Sequence, residues 1–503
     1  MPAYFLGVDN GGTATKAVVF DDRGNDLAGA SRKVPMILPQ PGFTERDMEL
    51  LWKANCEAIA EAIRASGVPA SAIRGVALTG HGKGLYLWGR DGKPAYNGIV
   101  STDSRAWEYP ERWIRDGTAA RVFERTFQSI LACQPVSLLR WLEDHRPGVV
   151  DRTRWIFEVK DYVRFRLTGE AFAEVTDYSG SNLLDLRTVR FEKDLLAEFG
   201  LAHVHDKLPP VRYSTDPCGT VSAEAAAATG LLPGTPVAGG MFDIDACAVA
   251  VDVTDEQNLC VIAGTWSINE FISRKPVVNH SVMMNSLFCL PGCYLVEECS
   301  PTSAGNNEWF TNLFLQAERD AAAARGISVF ELTSELAAQV PPDGQHIAFL
   351  PFIFGSNYDP QARAALVGLD ASHTRPQVIR AVLEGIAFCH RVHVEKLLAN
   401  RERTRAVRLA GGAAHSRIWS QMFADVLELP VETVATRELG TLGAAMAAAV
   451  AGGVYQDLAE AARHMVKIGA RFEPDPAASA VYRRKFAAYR KVEAALAGIW
   501  KEL

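Results

Sequence analysis

The chain has 503 residues, a length that favours two large domains or more over a single core. Hydrophobic residues make up 48% and charged residues 22%, and the formal net charge of −7 gives no general basic surface for nucleic acid. Nine scattered cysteines argue against a disulfide framework. The sequence predicts no leader peptide and no membrane-spanning segment, so we expect a cytoplasmic protein.

The first motif is a sharp corner between two strand patterns. One strand runs into Asp9 and the next begins near Lys16, with the sequence NGGT at 10–13 between them. Two interpretations remain open from these residues. Gly-Gly suits a hairpin turn because it supplies positive φ angles, whereas a phosphate cradle beside a metal-binding acid also accounts for the acid, the threonines and the lysine.

The elements that follow alternate between helix and strand. Helical periodicity places apolar residues on one side of 48–65, and residues 73–79 read as a buried strand that ends in a glycine-rich loop at 80–84. A second long helix is predicted over 376–400. This alternation predicts a mixed α/β fold.

A possible repeat begins near the midpoint of the chain. Residues 259–276 again read as strand, glycine corner, strand, with Gly264-Thr265 at the corner. This corner comes about half a chain length after the first, which suggests a duplicated domain with a cleft between the copies. Two facing corners could hold a polyphosphate from both sides. The alternative is a chance recurrence of a common α/β motif.

The segment 236–251 carries the candidate catalytic acid. An apolar approach and a double glycine lead to Asp243 and Asp245, as in a strand that ends at a cleft. A carboxylate there can accept the proton of an alcohol whose oxygen attacks phosphorus. Either aspartate could instead cap a helix.

A second glycine loop lies within 407–430, which reads as strand, loop and amphipathic helix. Glycines permit close approach of the backbone to a ligand, and a helix N-terminus favours negative charge. Neither the GxxxxGK[ST] nor the GxGxxG spacing is present, and a double glycine also begins many ordinary helices.

Other conspicuous residues are interpreted as structural. His390 and His393 have a metal-compatible spacing on a helix but no evident acidic partner. Asp161 and Asp185 are interpreted as caps or surface charges. An apolar stripe at helical spacing is interpreted as core; it consists of Trp419, Met422, Phe423 and Val426.

These motifs occur in the order found in the FGGY carbohydrate kinases, which the chain resembles from residue 4 to about 495. The stretches "RAVLEGIAF" (380–388) and "ELGTLGAAMAA" (438–448) also resemble that family. Through "QPGFTERDMELLW" (40–52) it is most similar to the pentulose kinases, the L-xylulose kinases in particular. The resemblance implies two actin-like (RNase H-like) domains flanking a catalytic cleft.

The resemblance also implies a division into domains and a set of roles. The first domain is expected at 1–246 and the second at 247–503, with a hinge near 246–258. Asp9 is expected beside Mg²⁺, and Asp243 as the general base. ATP binding is assigned to Gly11, Gly12, Thr13, Lys16, Gly264, Thr265, Gly305, Gly411, Gly412 and Ala413.

The sugar side is expected to involve His81, Lys83, Asp103 and Asp243, with a ketopentose such as L-xylulose as substrate. Lys83 departs from the pentulose pattern by placing a cation where a neutral donor is usual, which would suit a polyhydroxy ligand that offers acceptors or one that carries negative charge. Other polyols therefore stay open: erythritol, glycerol or a signalling polyol. So does a non-catalytic actin-like ATP switch. The departure at Gly355-Ser356-Asn357 has no assigned consequence, and a homodimer is plausible for the family.

Overall fold

The computed structural model describes residues 3–356 and 361–502, so Asn357 of the sequence departure lies outside the described residues. The strands of the described chain are β1 (Tyr4–Asn10), β2 (Ala14–Asp21), β3 (Asp26–Lys33), β4 (Glu45–Arg46), β5 (Ile73–Gly80), β6 (Tyr86–Gly89), β7 (Gly98–Ile99), β8 (Thr153–Phe157), β9 (Ala173–Glu174), β10 (Val211–Arg212), β11 (Pro217–Thr220), β12 (Pro236–Ala238), β13 (Met241–Phe242), β14 (Asn258–Ala263), β15 (Ser267–Ser273), β16 (Met284–Leu287), β17 (Tyr294–Ser300), β18 (Ala348–Leu350), β19 (Ala365–Val367), β20 (Ala406–Gly411), β21 (Val431–Val434) and β22 (Ile468–Phe472).

The α-helices of the same residues are α1 (Met48–Ser66), α2 (Glu108–Arg115), α3 (Thr118–Thr126), α4 (Pro135–His145), α5 (Val149–Arg152), α6 (Val159–Thr168), α7 (Val175–Ser179), α8 (Lys193–Glu198), α9 (Ala223–Thr229), α10 (Asp243–Ala250), α11 (Ala304–Phe314), α12 (Gln316–Arg325), α13 (Val329–Ala338), α14 (Arg375–Leu398), α15 (Arg417–Leu427), α16 (Leu439–Ala451), α17 (Leu458–Met465) and α18 (Pro476–Leu496). Short 3₁₀ helices occupy Ala70–Ala72, Ala202–Lys207, Gly412–His415 and Trp500–Glu502.

Local signals explain where the two long predicted helices begin and end. The Asp47 carboxylate accepts hydrogen bonds from the N–H groups of Glu49 and Leu50 at 2.8 and 2.9 Å, and Gly67 ends α1 with a φ of +67°. A capping box at Thr374 begins α14. Both helices are confirmed, with bounds that differ by one or two residues from the sequence expectation.

Two large sheets share one topology, which confirms the predicted duplication. The first has the order β11-β12-β5-β1-β2-β3, and the second the order β16-β17-β15-β14-β20-β21-β22. In the first sheet, β1 is antiparallel to β2, its hairpin partner, and parallel to β5. In the second sheet, β14 is likewise antiparallel to β15 and parallel to β20. The two glycine corners therefore occupy equivalent positions.

The two halves meet through helices α10 and α16. Gly443 of α16 lies so close to α10 that an added Cβ would be 2.3 Å from the Ala246 carbonyl oxygen. The same helix lies on the first sheet, because a Cβ on Gly7 would be 1.8 Å from the Thr441 carbonyl oxygen. Glycine permits this close backbone contact. The predicted domain boundary after residue 246 falls inside α10, and the division remains a prediction.

One structural interpretation of the sequence is confirmed. The stripe of Trp419, Met422, Phe423 and Val426 on α15 is buried in the core of the second half. None of the helices in the described ranges is long and apolar enough to cross a membrane. Within those ranges no group of three or more His, Cys, Asp or Glu side chains forms a metal site.

Candidate active site

Asp9 lies near the end of β1, opposite Lys16 of β2 and Thr79 of β5 in the register of the sheet. Burial raises the pKa of Asp9 to about 6; Lys16 opposes this shift and Glu438 adds to it. The Oδ1 atom of Asp9 is buried and has no hydrogen-bond partner among the described residues. Gly440 leaves room for this carboxylate, since a Cβ there would lie 2.8 Å from Oδ2.

Lys16 links the two halves in this structure. Its Nζ lies 2.5 Å from Oε2 of Glu438, the residue that precedes α16, and its side chain is 40% exposed. The predicted phosphate-binding lysine is thus accessible from the cleft and already compensated by an acid of the second half. A cavity of about 250 Å³ reaches these residues, and its lining includes Asp9, Lys16, Gly411 and Glu438.

Sequence reasoning missed Arg46, which braces the first corner from within the protein. Its side chain is fully buried, and its guanidinium donates to the carbonyl of Gly11 at 3.3 and 3.4 Å and to that of Gly12. The Nε atom of Arg46 is buried and has no hydrogen-bond partner among the described residues. Arg46 lies in the stretch "QPGFTERDMELLW", but only the fold brings it to the corner.

The predicted nucleotide-binding segments of the second half come together. A Cβ on Gly305 would lie 3.4 Å from the Thr265 carbonyl oxygen, and Gly411 has a φ of +80° with its Cα against Ala263 and Gly264. A Cβ on Gly412 would be 3.7 Å from the Ala263 carbonyl oxygen. Three loops that are far apart in sequence thus meet at the second corner.

His390 of α14 connects the second corner to α11. Its Nδ1 lies 2.7 Å from Oδ1 of Asn269 and 3.1 Å from Oγ of Ser267, and its Nε2 lies 2.7 Å from Oγ of Ser303. Burial lowers the pKa of His390 to about 3, so the ring is neutral at physiological pH. His393, by contrast, has the acidic partner that the sequence did not reveal: its Nδ1 lies 2.9 Å from Oε2 of Glu298.

The two candidate acids at the start of α10 have different surroundings. Burial raises the pKa of Asp243 well above its usual range, Asp9 and Asp177 add to the shift, and Lys83 opposes it. Asp243 is therefore close enough to Asp9 of the first corner and to Lys83 of the loop after β5 for both charges to act on its pKa. Asp245 turns away from them: its Oδ1 accepts a hydrogen bond from the Cys289 N–H at 2.9 Å.

Lys83 lies in the loop after β5 and in the left-handed region, with a φ of 65°. The loop is held by Glu158, whose Oε2 accepts from the Lys83 N–H at 2.8 Å. The Nζ atom of Lys83 lies 5.3 Å from the centre of the ring of Phe242, the residue that precedes Asp243 in the sequence. Burial lowers the pKa of Lys83, but nearby acids, Glu297 first, outweigh burial and raise it, so the side chain is a cation at the cleft.

His81 and Asp103, the other predicted sugar residues, already have protein partners. Nε2 of His81 lies 3.1 Å from the Tyr86 hydroxyl, and burial lowers its pKa to about 3, with Arg46 adding to the shift. Asp103 forms a fully buried ion pair with Arg105 at 2.8 Å. Neither side chain offers a free charge to the cleft, and their roles in sugar binding remain predictions.

Asp161 is neither a cap nor a surface charge, so that interpretation was wrong, whereas the interpretation of Asp185 as a cap is confirmed. Asp161 is fully buried and pairs with Lys160 at 3.2 Å and with Arg164 at 2.7 Å. Asp185 caps a turn as expected, but it is 2% exposed and pairs with Arg125 at 2.6 Å. The polar sequence pattern could not distinguish a solvated acid from one buried against a distant cation.

Comparisons with known proteins agree with this arrangement. The model of the N-terminal domain of the FGGY family of carbohydrate kinases matches residues 4–250, and the model of its C-terminal domain matches residues 259–452. An L-xylulose/3-keto-L-gulonate kinase of Escherichia coli (strain K12) is 36% identical over 500 residues, covering 99% of this chain and 98% of that protein.

Two further comparisons extend the picture. An autoinducer-2 kinase of Yersinia enterocolitica is 29% identical over 495 residues, covering 95% of this chain and 92% of that protein. A crystal structure of xylulose kinase from Rhodospirillum rubrum has a TM-score of 0.87 at 28% identity, covering 99% of this chain and 100% of that one.

The duplicated sheets and the cleft between them define a two-domain protein of the actin-like, ribonuclease H-like class. Within that class, the chain belongs to the FGGY family of carbohydrate kinases. It is a sugar kinase, which transfers phosphate from ATP to a hydroxyl group of its substrate.

Proposed function

We propose that this kinase phosphorylates a ketopentose, L-xylulose first among the candidates, with Asp243 as the general base. The observation that carries the proposal is the position of Asp243 near both the first glycine corner and Lys83. The charges of Asp9, at the first glycine corner, and of Lys83 both act on the pKa of Asp243, and the Lys83 ammonium lies 5.3 Å from the ring of the neighbouring Phe242. An acceptor hydroxyl held beside Lys83 would thus be near the phosphates and near a carboxylate that can take its proton.

The chemistry requires one proton transfer and one displacement. As the sugar oxygen bonds to the γ-phosphorus of ATP, the bond from that phosphorus to the β-phosphate oxygen breaks, and ADP leaves with the electron pair. The hydroxyl proton passes to the Asp243 carboxylate. Burial holds the pKa of Asp243 high, which makes this carboxylate a stronger base than an exposed aspartate.

Magnesium is the expected companion of ATP, and the first corner fits it. Asp9 presents a buried Oδ1 that has no hydrogen-bond partner among the described residues, which suits a hard cation or its coordinated water. We propose that Asp9 holds the ion, which neutralises charge on the phosphates when bound. Lys16, once released from Glu438, and the backbone of Gly11 and Gly12 would bind the phosphate oxygens.

The choice of sugar rests on the surroundings of Lys83. The relatives act by name on L-xylulose, 3-keto-L-gulonate or autoinducer-2, and only the gulonate carries a carboxylate group. The charges of Glu297 and, less strongly, Glu158 raise the pKa of Lys83, and Lys83 in turn opposes the rise in the pKa of Asp243. A neutral ketose that accepts a hydrogen bond from Lys83 therefore suits this site better than an anionic one.

The test is ADP release with MgATP across a panel that contains L-xylulose, 3-keto-L-gulonate, other ketopentoses, erythritol, glycerol and autoinducer-2. We expect the highest kcat/KM with L-xylulose. A preference for 3-keto-L-gulonate would overturn the charge argument while leaving the kinase activity intact. ATP binding without turnover on any acceptor would favour the actin-like switch instead.

The base is tested by substitution. Asp243→Asn keeps the shape of the side chain but cannot accept the proton, so kcat should fall roughly 10²–10⁴-fold. Asp252→Asn, just beyond the other end of α10, is the matched control and should change kcat less than about twofold. An Asp243→Asn enzyme within a few-fold of wild type would exclude Asp243 as the base.

A further inference from the structure

A buried charged network lies directly behind the segment that carries Asp243. Lys160 of α6 is fully buried, and its Nζ lies 3.1 Å from Oε2 of Glu174 and 2.8 Å from Oδ2 of Asp177. Arg164, one turn further along α6, is also fully buried. Burying two cations costs several kcal/mol each unless close partners compensate them, so their placement calls for a physical reason.

The network holds both ends of the segment that leads into Asp243. At the beginning, Nη1 of Arg164 donates to the Gly239 carbonyl at 2.5 Å. At the end, the Thr176 hydroxyl accepts from the Phe242 N–H at 2.8 Å and donates to Oε2 of Glu174 at 2.6 Å. Because Phe242 immediately precedes Asp243 in the chain, these contacts fix the backbone position of the proposed base.

The segment itself has little intrinsic stiffness. It contains Gly239 and Gly240, and Gly240 adopts a φ of +78° against the Leu78 carbonyl, where a Cβ would lie 2.0 Å from that oxygen. Glycines are needed for this close approach, but they leave the backbone free to move. Rigidity at Asp243 must therefore come from contacts outside the segment.

We propose that Lys160, Arg164, Glu174 and Thr176, called here the α6–α7 clamp, form a positioning unit for Asp243. Arg164 and Thr176 hold the two ends of the glycine segment, and Lys160 and Glu174 orient Thr176. The clamp touches neither ATP nor sugar in this assignment. The inference rests on the proposed role of Asp243 as the base.

The clamp predicts a specific kinetic signature. Thr176→Val keeps the side-chain shape and removes both hydrogen bonds, so kcat with L-xylulose should fall about 10- to 100-fold, the range expected for a misplaced catalytic group. The KM for MgATP should stay within about twofold, because the nucleotide loops do not contact Thr176. Thr176→Ser restores the hydroxyl and should recover kcat to within about threefold of wild type.

The matched control is Thr229→Val. Thr229 is also fully buried in the first half, and its hydroxyl donates to the Ala225 carbonyl at 2.7 Å on α9, outside the clamp. This variant should lose stability as Thr176→Val does but keep kcat within about twofold. If Thr176→Val fails to fold, Ser214→Ala removes a further hydrogen bond to Glu174, which the Ser214 hydroxyl donates at 2.7 Å, and should lower kcat two- to fivefold.

A double mutant separates the clamp from the base. If Thr176 acts through Asp243, then Thr176→Val should add less than about twofold to the loss already caused by Asp243→Asn. An additive loss, or a rise in the KM for MgATP in proportion to the fall in kcat, would overturn the clamp. The clamp would also be overturned if the Thr176→Val enzyme were as active as the Thr229→Val control.

The failures of the two proposals are distinguishable. If Asp243→Asn abolishes activity while Thr176→Val does not, only the clamp is wrong. If Asp243→Asn stays active, the base assignment fails and the clamp fails with it. Should L-xylulose give no turnover, the same variants are compared with the panel sugar of highest kcat/KM.

Discussion

The two glycine corners occupy equivalent places in duplicated sheets but carry opposite chemistry. The first corner follows Asp9, paired with Lys16 across the hairpin, whereas the second follows Ile262, paired with Ile268. Duplication thus supplied two backbone cradles of the same shape. Charge was placed at only one of them, the corner beside the candidate base.

The braces behind the corners differ in the same way. A charged guanidinium, that of Arg46, holds the carbonyls of the first corner, while the neutral imidazole of His390 holds side chains beside the second. A carbonyl turned toward Arg46 leaves the N–H of the same trans peptide turned away from the guanidinium. Under the proposed function, this difference predicts that the first corner stabilises charge at the reacting phosphate and that the second corner positions the nucleotide through backbone and packing.

The strongest test of that asymmetry is the loss of the acid at the first corner. Asp9→Asn removes the charge while keeping the shape, and kcat should fall roughly 10²–10³-fold, the scale of a lost phosphate-neutralising interaction. Ile262→Val, at the equivalent position of the second corner, should change kcat less than about twofold. Steady-state kinetics of both variants make the comparison. Equal effects would refute the asymmetry.

Loss of the charged brace should come next in size. Arg46→Met leaves the carbonyls of the first corner unpaired in a buried place, and the KM for MgATP should rise about tenfold, the equivalent of one lost charged hydrogen bond. Arg46→Lys keeps the charge but lacks the planar guanidinium that donates to both carbonyls, so it should have an intermediate effect on the KM for MgATP. The control is Arg32→Met on β3, where the partly exposed arginine pairs with surface acids. An unchanged KM would show that the corner needs no brace.

The neutral brace should matter less. His390→Phe preserves bulk but leaves Ser267 and Ser303 without their shared partner, and the KM for MgATP should rise roughly three- to fivefold, a loss of about 1 kcal/mol. Since the second corner carries no charge, kcat should stay within about twofold. His393→Gln, nearly one turn along α14, controls for perturbing the helix. If kcat fell further in His390→Phe than in Arg46→Met, the second corner would contribute more to catalysis than the first, contrary to this prediction.

Much of the fold could be predicted because it depends on local patterns and repetition. The capped helix at Met48–Ser66 and the strand at Ile73–Gly80 carry their own signals, and the recurrence of Gly264-Thr265 half a chain after the first corner pointed to the duplication. Glycine loops were found for the same reason: a close backbone contact can only be made with glycine.

The missed residues share a physical property. Arg46 and Thr176 hold their segments through hydrogen bonds to residues 34 or more positions away in sequence, and so does His390, of which the sequence showed only the spacing from His393. Asp161 was misjudged for the same reason, because an acid buried against Lys160 and a solvated acid have the same sequence appearance. Long-range polar pairing is decided by the packing of the halves, which no periodicity encodes.

The pH dependence of stability should also distinguish the two corners. Burial lowers the pKa of His390 from 6.5 to about 3, so between these values the unfolded chain binds a proton that the folded protein does not. The contribution of His390 to the free energy of unfolding is therefore lost as pH falls below 6.5, by as much as about 3 kcal/mol at pH 4.

Asp9 has the opposite sign. Its pKa rises from 3.8 to about 6 on folding, so the folded protein binds the extra proton, and the penalty of burying the charge grows as pH rises through this window. Urea unfolding from pH 4 to 7.5, with EDTA and without nucleotide, measures both. Wild type should gain stability relative to His390→Phe as pH rises, and lose it relative to Asp9→Asn. Slopes of the same sign would mean that the two corners do not differ electrostatically as their geometry implies.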